Sequence, residues 1–254
     1  MKKSNYRDFL IGRPFAHRGL HDSGQHFGEV VPENSIKSFE LAIKNGFSIE
    51  MDLQVTEDLE IVVFHDDYLH RLTQKEGLIT MCPLEFLKSA TLANEESIPS
   101  LSEVLDYVNG KVPVLIEIKE SKKLKDNLSN FLGKLTKKII EYKGQVGLMS
   151  FDIDILTSLK AINFQRKIPL GLTTDFPSIE NKQQKYENTK IEKKIQKLDL
   201  DFVSQNWKGI KNKRILDIRN SGLIIICWTV TSKKIEELVK QETDNITFEG
   251  YKPF

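Results

Sequence analysis

Short apolar runs rich in β-forming residues recur along this chain, and amphipathic helical stretches separate them. This alternation is typical of repeated βα units, in which helices cover a parallel sheet. We count eight runs, and 254 residues suffice for one core of barrel size. The pattern therefore predicts an α/β fold, a (β/α)₈ TIM barrel. The eight runs are 14–17, 48–55, 112–118, 146–150, 168–173, 202–205, 223–229 and 245–248.

One stretch, 56–110, is too long for an ordinary connection between a barrel strand and its helix. It contains a β-rich run at 61–64, which predicts a hairpin strand. We therefore predict a small insertion on the barrel rim after the second strand, over about 56–110. We expect the whole chain, 1–254, to form a single domain.

Composition excludes several classes of partner. Lys and Arg total 37 against 36 Asp and Glu, so no broad positive field is available to hold nucleic acid. No apolar run is long enough to cross a bilayer, and 1–12 lacks the apolar run of a secretory signal. We expect a cytoplasmic protein without stable membrane insertion, with Cys82 and Cys227 as reduced packing residues. The oligomeric state is left open.

Acidic side chains interrupt two of the predicted strands in an ordered way. In the second run Glu50, Asp52 and Gln54 alternate with apolar residues, and in the third run Glu117 and Lys119 do so. Alternation along a strand places such residues on one face. If these faces point into the barrel, three carboxylates converge and would repel one another unless a cation neutralised them. Hard oxygen ligands of this kind indicate a divalent metal cation, Mg²⁺ or Ca²⁺.

The same acids could instead be neutralised by the protein itself. An internal salt-bridge network of Glu50, Asp52 and Glu117 with Lys119 and Arg18 would also compensate their burial. Alternatively, Arg18 and Lys119 could face a phosphorylated substrate, because a guanidinium fork matches two phosphate oxygens. The sequence alone does not separate these roles.

All five histidines lie in the first 70 residues, and two of them end apolar runs. A barrel places strand ends such as those at His17 and His65 around its active site. The pair, next to a carboxylate cluster, predicts a catalytic acid and base. His21, His26 and His70 have no such context, and we expect them to be structural or loop residues.

These segments resemble the glycerophosphodiester phosphodiesterase family, whose hallmark segments occur here in order over nearly the full length. They are Ala16-His17-Arg18-Gly19, Pro32-Glu33-Asn34-Ser35, Glu50-Met51-Asp52, His65-Asp66, Ile98-Pro99-Ser100-Leu101 leading to Val104-Leu105, Ile116-Glu117-Ile118-Lys119, and Trp228-Thr229-Val230. Any one segment could arise by chance, but the ordered set is specific.

The resemblance implies a divalent cation and hydrolysis of small-molecule glycerophosphodiesters to sn-glycerol 3-phosphate and an alcohol. By position, the metal ligands are Glu50, Asp52 and Glu117, the acid/base pair is His17 and His65, and the residues facing the phosphate are Arg18 and Lys119. Trp228 matches an aromatic residue near the mouth that packs on the glycerol or the alcohol, with core packing as its alternative. Phe151 is a weaker candidate of the same kind.

The last run departs from the family pattern. The commoner ending has an aspartate and a proline after the strand, whereas this chain continues with Glu249 and Gly250. A substrate contact from Glu249 is therefore left open.

For the mechanism, imidazole suits both proton transfers because its ordinary pKa lies near working pH. We favour His65 as the base and His17 as the acid. The nucleophile is either water or the adjacent glycerol hydroxyl, which would give a cyclic phosphate.

Two alternatives differ in function. A lysophospholipase D or sphingomyelinase D-like enzyme would use the same barrel and histidine pair on lipid substrates. A non-catalytic barrel would bind glycerophosphodiesters without cleaving them, although intact acid, base and metal positions argue against it.

Overall fold

Eight parallel strands close into a barrel in chain order. The computed structural model describes residues 6–23 and 28–253. The strands are β1 (Phe15–Ala16), β2 (Ser48–Val55), β3 (Val114–Ile118), β4 (Val146–Ser150), β5 (Leu170–Thr174), β6 (Phe202–Asn206), β7 (Ile224–Val230) and β8 (Asn245–Phe248). Strand β1 pairs with β8 on one side and with β2 on the other, which closes the sheet. The predicted (β/α)₈ TIM barrel is confirmed.

A helix follows each of the first seven strands and covers the outside of the barrel. These helices are α1 (Ile36–Lys44), α2 (Leu101–Val108), α3 (Leu128–Glu141), α4 (Ile153–Lys160), α5 (Lys182–Leu198), α6 (Lys213–Asn220) and α7 (Lys233–Val239). Polar side chains fix where several of them begin. Ser35 accepts a hydrogen bond from the backbone of Ser38, and Ser100 forms a reciprocal capping box with Glu103. The short helix Lys122–Asp126 precedes α3, and the 3₁₀ turn Trp207–Gly209 precedes α6.

The barrel interior is apolar at its amino-terminal end. A 3₁₀ helix, Asp8–Ile11, lies across this end and packs Phe9 and Leu10 into it. The side-chain amide of Asn245 donates hydrogen bonds to the carbonyl oxygens of Leu10 (2.8 Å) and Arg13 (3.0 Å). The helix Asp8–Ile11 and its apolar contacts therefore cover the amino-terminal end of the barrel.

The stretch 56–110 contributes to two different cores. Its first part contains the strand Ile61–Val63, which pairs antiparallel with β2, the 3₁₀ turn Ile79–Met81 and the helix Leu84–Lys88. These elements share a small apolar cluster of their own, whereas α2 packs into the main core between strands and helices. The strand returns the chain to the barrel mouth just before His65. A further two-stranded ribbon, Asp22–Ser23 with Val30–Val31, lies between β1 and α1.

Among the described residues, no helix combines the length and apolar character needed to cross a bilayer. Both cysteines are free and buried. Cys227 belongs to the main core, and Cys82 belongs to the cluster of the rim segment.

Candidate active site

A cavity of about 250 Å³ lies at the carboxyl ends of the barrel strands. Its lining includes all eight side chains that the sequence predicted as site residues: His17, Arg18, Glu50, Asp52, His65, Glu117, Lys119 and Trp228. Strand periodicity explains this convergence, because alternate residues of β2 and β3 point inwards while their neighbours enter the outer core. Asp52 and Glu117 are also register partners across the two strands.

Three buried carboxylates lie side by side in the cavity wall. Glu50, Asp52 and Glu117 are 2%, 2% and 6% exposed, and each contributes an oxygen within 4.8 Å of the others. Burial, reinforced by the charges of Asp52 and Glu117, raises the pKa of Glu50 well above its usual value. Burial also raises the pKa of Glu117. A set of three buried carboxylate oxygens could hold a divalent cation, and oxygen donors suit Mg²⁺ or Ca²⁺.

Salt bridges neutralise part of this cluster. The Lys119 ammonium lies 2.8 Å from Glu117 Oε1 and 3.5 Å from Asp52 Oδ1, and Arg18 Nε lies 3.4 Å from Asp52 Oδ2. Burial opposes the charged form of Asp52, but Lys119 and Arg18 outweigh it and lower the pKa of Asp52. The Glu50 carboxylate accepts a backbone N–H from Arg18 at 2.9 Å, and within 6–23 and 28–253 no Lys, Arg or His side chain lies within 4.0 Å of it. Among these residues Glu50 therefore has no salt-bridge partner, and the charge of Arg18 acts on it only from a greater distance.

The chain turns sharply after His17, which brings Arg18 back to the cavity. Arg18 and Gly19 both have positive φ, 54° and 80°. A Cβ atom on residue 19 would lie 2.2 Å from Ser38 Oγ, so this turn requires glycine.

The two imidazoles are held in the same way. His17 Nδ1 lies 2.5 Å from Glu249 Oε2, and His65 Nδ1 lies 2.7 Å from Asp66 Oδ1. Each carboxylate occupies Nδ1, which leaves Nε2 of each ring available to a ligand. Burial is the main cause that lowers the pKa of His17, and the charge of Arg18 adds to it, against the opposing effect of Glu249. His17 is therefore neutral near pH 7.

A further layer of polar residues was not identified from the sequence. Arg71 donates to both carboxylate oxygens of Glu33 (2.8 and 2.7 Å) and also binds Asp66, while Arg18 donates to Glu33 (2.7 Å). Arg71 comes from the rim segment, so it ties that segment to the mouth. The hydrogen bond from Arg71 is the largest cause that keeps the pKa of Asp66 well below its usual range.

Asn34 binds one of the buried carboxylates. Its neighbour Ser35 is the cap of α1. Asn34 instead donates from Nδ2 to Asp52 Oδ2 at 3.0 Å, with a positive φ of 55°. The sequence feature that could have identified Asn34 as a site residue is its position inside the Pro32-Glu33-Asn34-Ser35 segment.

The remaining histidines occupy different surroundings. His70 is exposed, and its Nδ1 lies 4.0 Å from Glu76. His21 was expected to be a structural or loop residue, and its Nε2 lies 3.5 Å from Glu249 Oε2. His26 lies outside the described residues.

Two aromatic rings, those of Trp228 and Phe151, contribute to the cavity wall. Trp228 donates from Nε1 to the carbonyl oxygen of Ser204 (3.0 Å), which fixes its ring. Phe151 meets Trp228 edge to face, with centroids 5.7 Å apart, and is 44% exposed. Both rings line the cavity. A contact between Trp228 and substrate stays a prediction.

Comparisons with known proteins point to one family. The model of the glycerophosphoryl diester phosphodiesterase family matches residues 17–248. The chain is 30% identical to a glycerophosphodiester phosphodiesterase of Caldanaerobacter subterraneus over 91% of each chain, and 31% identical to YhdW of Bacillus subtilis over 86% of each. Among solved structures, a phosphodiesterase of Oleispira antarctica in complex with the product sn-glycerol-3-phosphate superposes with a TM-score of 0.76 at 23% identity, covering 94% of this chain and 93% of that one. At that identity the likeness supports the fold.

Proposed function

This chain belongs to the glycerophosphoryl diester phosphodiesterase family, and we propose from this premise that it hydrolyses glycerophosphodiesters to sn-glycerol 3-phosphate and an alcohol. The chain is thus a phosphodiesterase, a hydrolase of phosphoric diesters. The observation that carries the proposed reaction is the convergence of three buried carboxylates, two carboxylate-bound imidazoles and two cationic side chains in one cavity. Such a set supplies the groups that phosphoryl transfer requires.

In this proposal Glu50, Asp52 and Glu117 are the ligands of a divalent cation. A bound Mg²⁺ or Ca²⁺ ion would neutralise phosphate charge and polarise the phosphoryl oxygens. Arg18 and Lys119, which both lie beside Asp52 in the cavity, bind the phosphate oxygens. Burial works against the charged forms of both residues, but the neighbouring acids outweigh it and raise the pKa values of Arg18 and Lys119. Both therefore stay cationic at any pH at which the enzyme would work.

The two imidazoles transfer the protons. His65 removes a proton from the nucleophile, either water or the adjacent glycerol hydroxyl, as its oxygen forms a bond to phosphorus. The bond from phosphorus to the alcohol oxygen breaks, and His17 gives its proton to that oxygen. If the glycerol hydroxyl is the nucleophile, this step gives a cyclic phosphate, and water then opens it to sn-glycerol 3-phosphate, with neutral His17 taking the proton of the water and protonated His65 returning a proton to the glycerol oxygen. Because His17 is neutral in the free protein, it must first take up a proton, and the negative charge of the bound phosphodiester favours this by raising its pKa.

A product assay tests the proposed reaction. We expect the protein, supplied with Mg²⁺ or Ca²⁺, to convert glycerophosphocholine to sn-glycerol 3-phosphate and choline, as followed by ³¹P nuclear magnetic resonance. Formation of phosphocholine and glycerol would show cleavage of the other ester bond. Neither product appearing would contradict the proposed function.

One observation favours the lysophospholipase D or sphingomyelinase D-like alternative, namely a groove next to the cavity. A groove of about 400 Å³ adjoins the cavity and shares Phe151 and Thr173 with it, and its wall includes Leu172, Phe176 and Ile191. An acyl chain would find apolar surface there. We expect a higher kcat/KM for glycerophosphocholine than for lysophosphatidylcholine in parallel assays. The reverse order would favour the lipid substrate.

A further inference from the structure

Closure of the barrel between its first and last strands brings Glu249 to His17. Strands β1 and β8 are parallel with Ala16 opposite Phe248, so the next residues along the two strands, His17 and Glu249, face each other. The His17 N–H donates to the carbonyl oxygen of Phe248 (2.9 Å), and the Glu249 N–H donates to that of Val230 (3.1 Å). Both backbones are therefore fixed where the side chains meet.

The contact is a hydrogen bond between an imidazole and an ionised carboxylate. Glu249 Oε2 lies 2.5 Å from His17 Nδ1 and 3.5 Å from His21 Nε2. The hydrogen bond from His17 is the largest cause that keeps the pKa of Glu249 well below its usual range, and the nearby His21 lowers it further. An ionised carboxylate only accepts hydrogen bonds, so His17 must carry a hydrogen on Nδ1. The neutral ring then has its lone pair on Nε2, which is the nitrogen left for the substrate.

The partner of His17 differs from the partner of His65. Asp66 is also bound by Arg71, which shares the charge of this carboxylate. Glu249 has no Lys or Arg side chain within 4.0 Å in the part of the chain that the structure describes. Its charge therefore acts mainly on His17, with His21 as its second neighbour.

We propose that Glu249 is the positioning residue of His17, and that His21, whose Nε2 lies 3.5 Å from the same carboxylate oxygen, helps to hold the Glu249 side chain in place. Glu249 fixes the ring orientation and tautomer of His17 and stabilises the imidazolium formed when His17 takes up its proton. His21 limits rotation of a side chain that is 33% exposed and would otherwise turn towards solvent. This proposal rests on the proposed catalytic role of His17.

Kinetics of matched variants test the proposal. We expect Glu249→Gln to lower kcat on glycerophosphocholine about 10- to 100-fold, the usual effect of losing such an orienting partner, with KM changed by less than about twofold. Glu249→Asp keeps the charge and should recover part of this loss, and His21→Asn should lose only a few-fold. Glu237→Gln, at an exposed position of α7, makes the same chemical change away from the cavity and should match the wild type.

The identity of the alcohol gives a readout that a purely structural role would not affect. If Glu249 acts through His17, both Glu249→Gln and His17→Ala should lower kcat strongly when choline is the leaving group. Both variants should lose much less kcat when p-nitrophenol is the leaving group, because p-nitrophenol needs no proton to leave. Wild-type kcat in Glu249→Gln, or a uniform loss where His17→Ala is selective, would overturn the proposal.

A measurement independent of turnover separates this proposal from the proposed function. In ¹⁵N nuclear magnetic resonance of the full chain, neutral His17 should carry its hydrogen on Nδ1 and should lose this preference in Glu249→Gln. A hydrogen on Nε2 of neutral His17 in the wild type would overturn the proposal. A zinc ion bound by His17, His21 and Glu249 would also overturn it, since ligand atoms of these three residues lie within 4.8 Å of one another. A wild-type protein that shows the expected tautomer but cleaves no glycerophosphodiester would contradict the proposed function alone.

Discussion

His17→Ala and His65→Ala are each expected to lower kcat on glycerophosphocholine by about 10²- to 10⁴-fold, the usual contribution of a positioned acid or base. Both imidazoles line the cavity, and a carboxylate occupies Nδ1 of each. Removing either ring deletes a proton transfer but leaves the carboxylate cluster intact. We therefore expect the loss to appear in kcat more than in KM.

The leaving group distinguishes the two roles. p-Nitrophenol leaves without protonation, so His17→Ala should recover most of its loss on the p-nitrophenyl ester of glycerol phosphate. His65→Ala should stay impaired on both substrates, because activation of the nucleophile is still needed. The opposite pattern would exchange the assigned roles of acid and base.

His70 provides the control for these variants. It is a histidine of the same region, 58% exposed, and it does not line the cavity. His70→Ala should keep wild-type activity. Near-normal kcat in His17→Ala or in His65→Ala would refute the proposed acid/base pair.

Removal of divalent ions is expected to abolish turnover. Glu50 and Glu117 both have a raised pKa in the protein without a cation, which reflects the unfavourable burial of their charges. A divalent ion would relieve this, so the three carboxylates should bind one strongly enough to be needed for activity. We expect no hydrolysis after exhaustive treatment with EDTA and recovery on adding Mg²⁺ or Ca²⁺. Full activity in chelated protein would remove the cation from the mechanism.

The raised pKa values of Glu50 and Glu117 should make the metal-free protein less stable as pH rises. The folded pKa of Glu50 lies above its unfolded value, so folding disfavours the ionised form and stability falls as the pH increases past the unfolded value. Glu50→Gln should therefore raise the melting temperature of the metal-free protein at pH 7, by about 2–4 °C for each kcal/mol gained. Adding Mg²⁺ or Ca²⁺ should stabilise the wild type but not this variant. A lower melting temperature in Glu50→Gln would contradict this account.

Strand periodicity explains why so much of the site was predictable. The bounds of β2, 48–55, coincide with the predicted run, because its alternating residues face two different environments, the cavity and the outer core. The same alternation identified the acids on β2 and β3. By contrast, β1 is limited to Phe15–Ala16, shorter than the predicted 14–17, because the turn at Arg18 begins directly after His17.

Contacts that depend on barrel closure or on the rim segment could not be predicted in this way. Glu249 and His17 are 232 positions apart and meet only when β8 pairs with β1. The pair of Arg71 with Glu33 depends on how the rim segment folds back over the mouth. Local patterns in the sequence carry no information about either of these two contacts.

Calorimetric titration of Mg²⁺ and Ca²⁺ into chelator-treated protein tests the central claim most directly. We predict one saturable site per chain in the wild type and loss of that binding in Asp52→Asn, with Glu237→Gln unchanged. The prediction follows from three buried carboxylates whose oxygens lie within 4.8 Å of one another. Absence of binding in folded wild-type protein, or equal binding in Asp52→Asn, would contradict it.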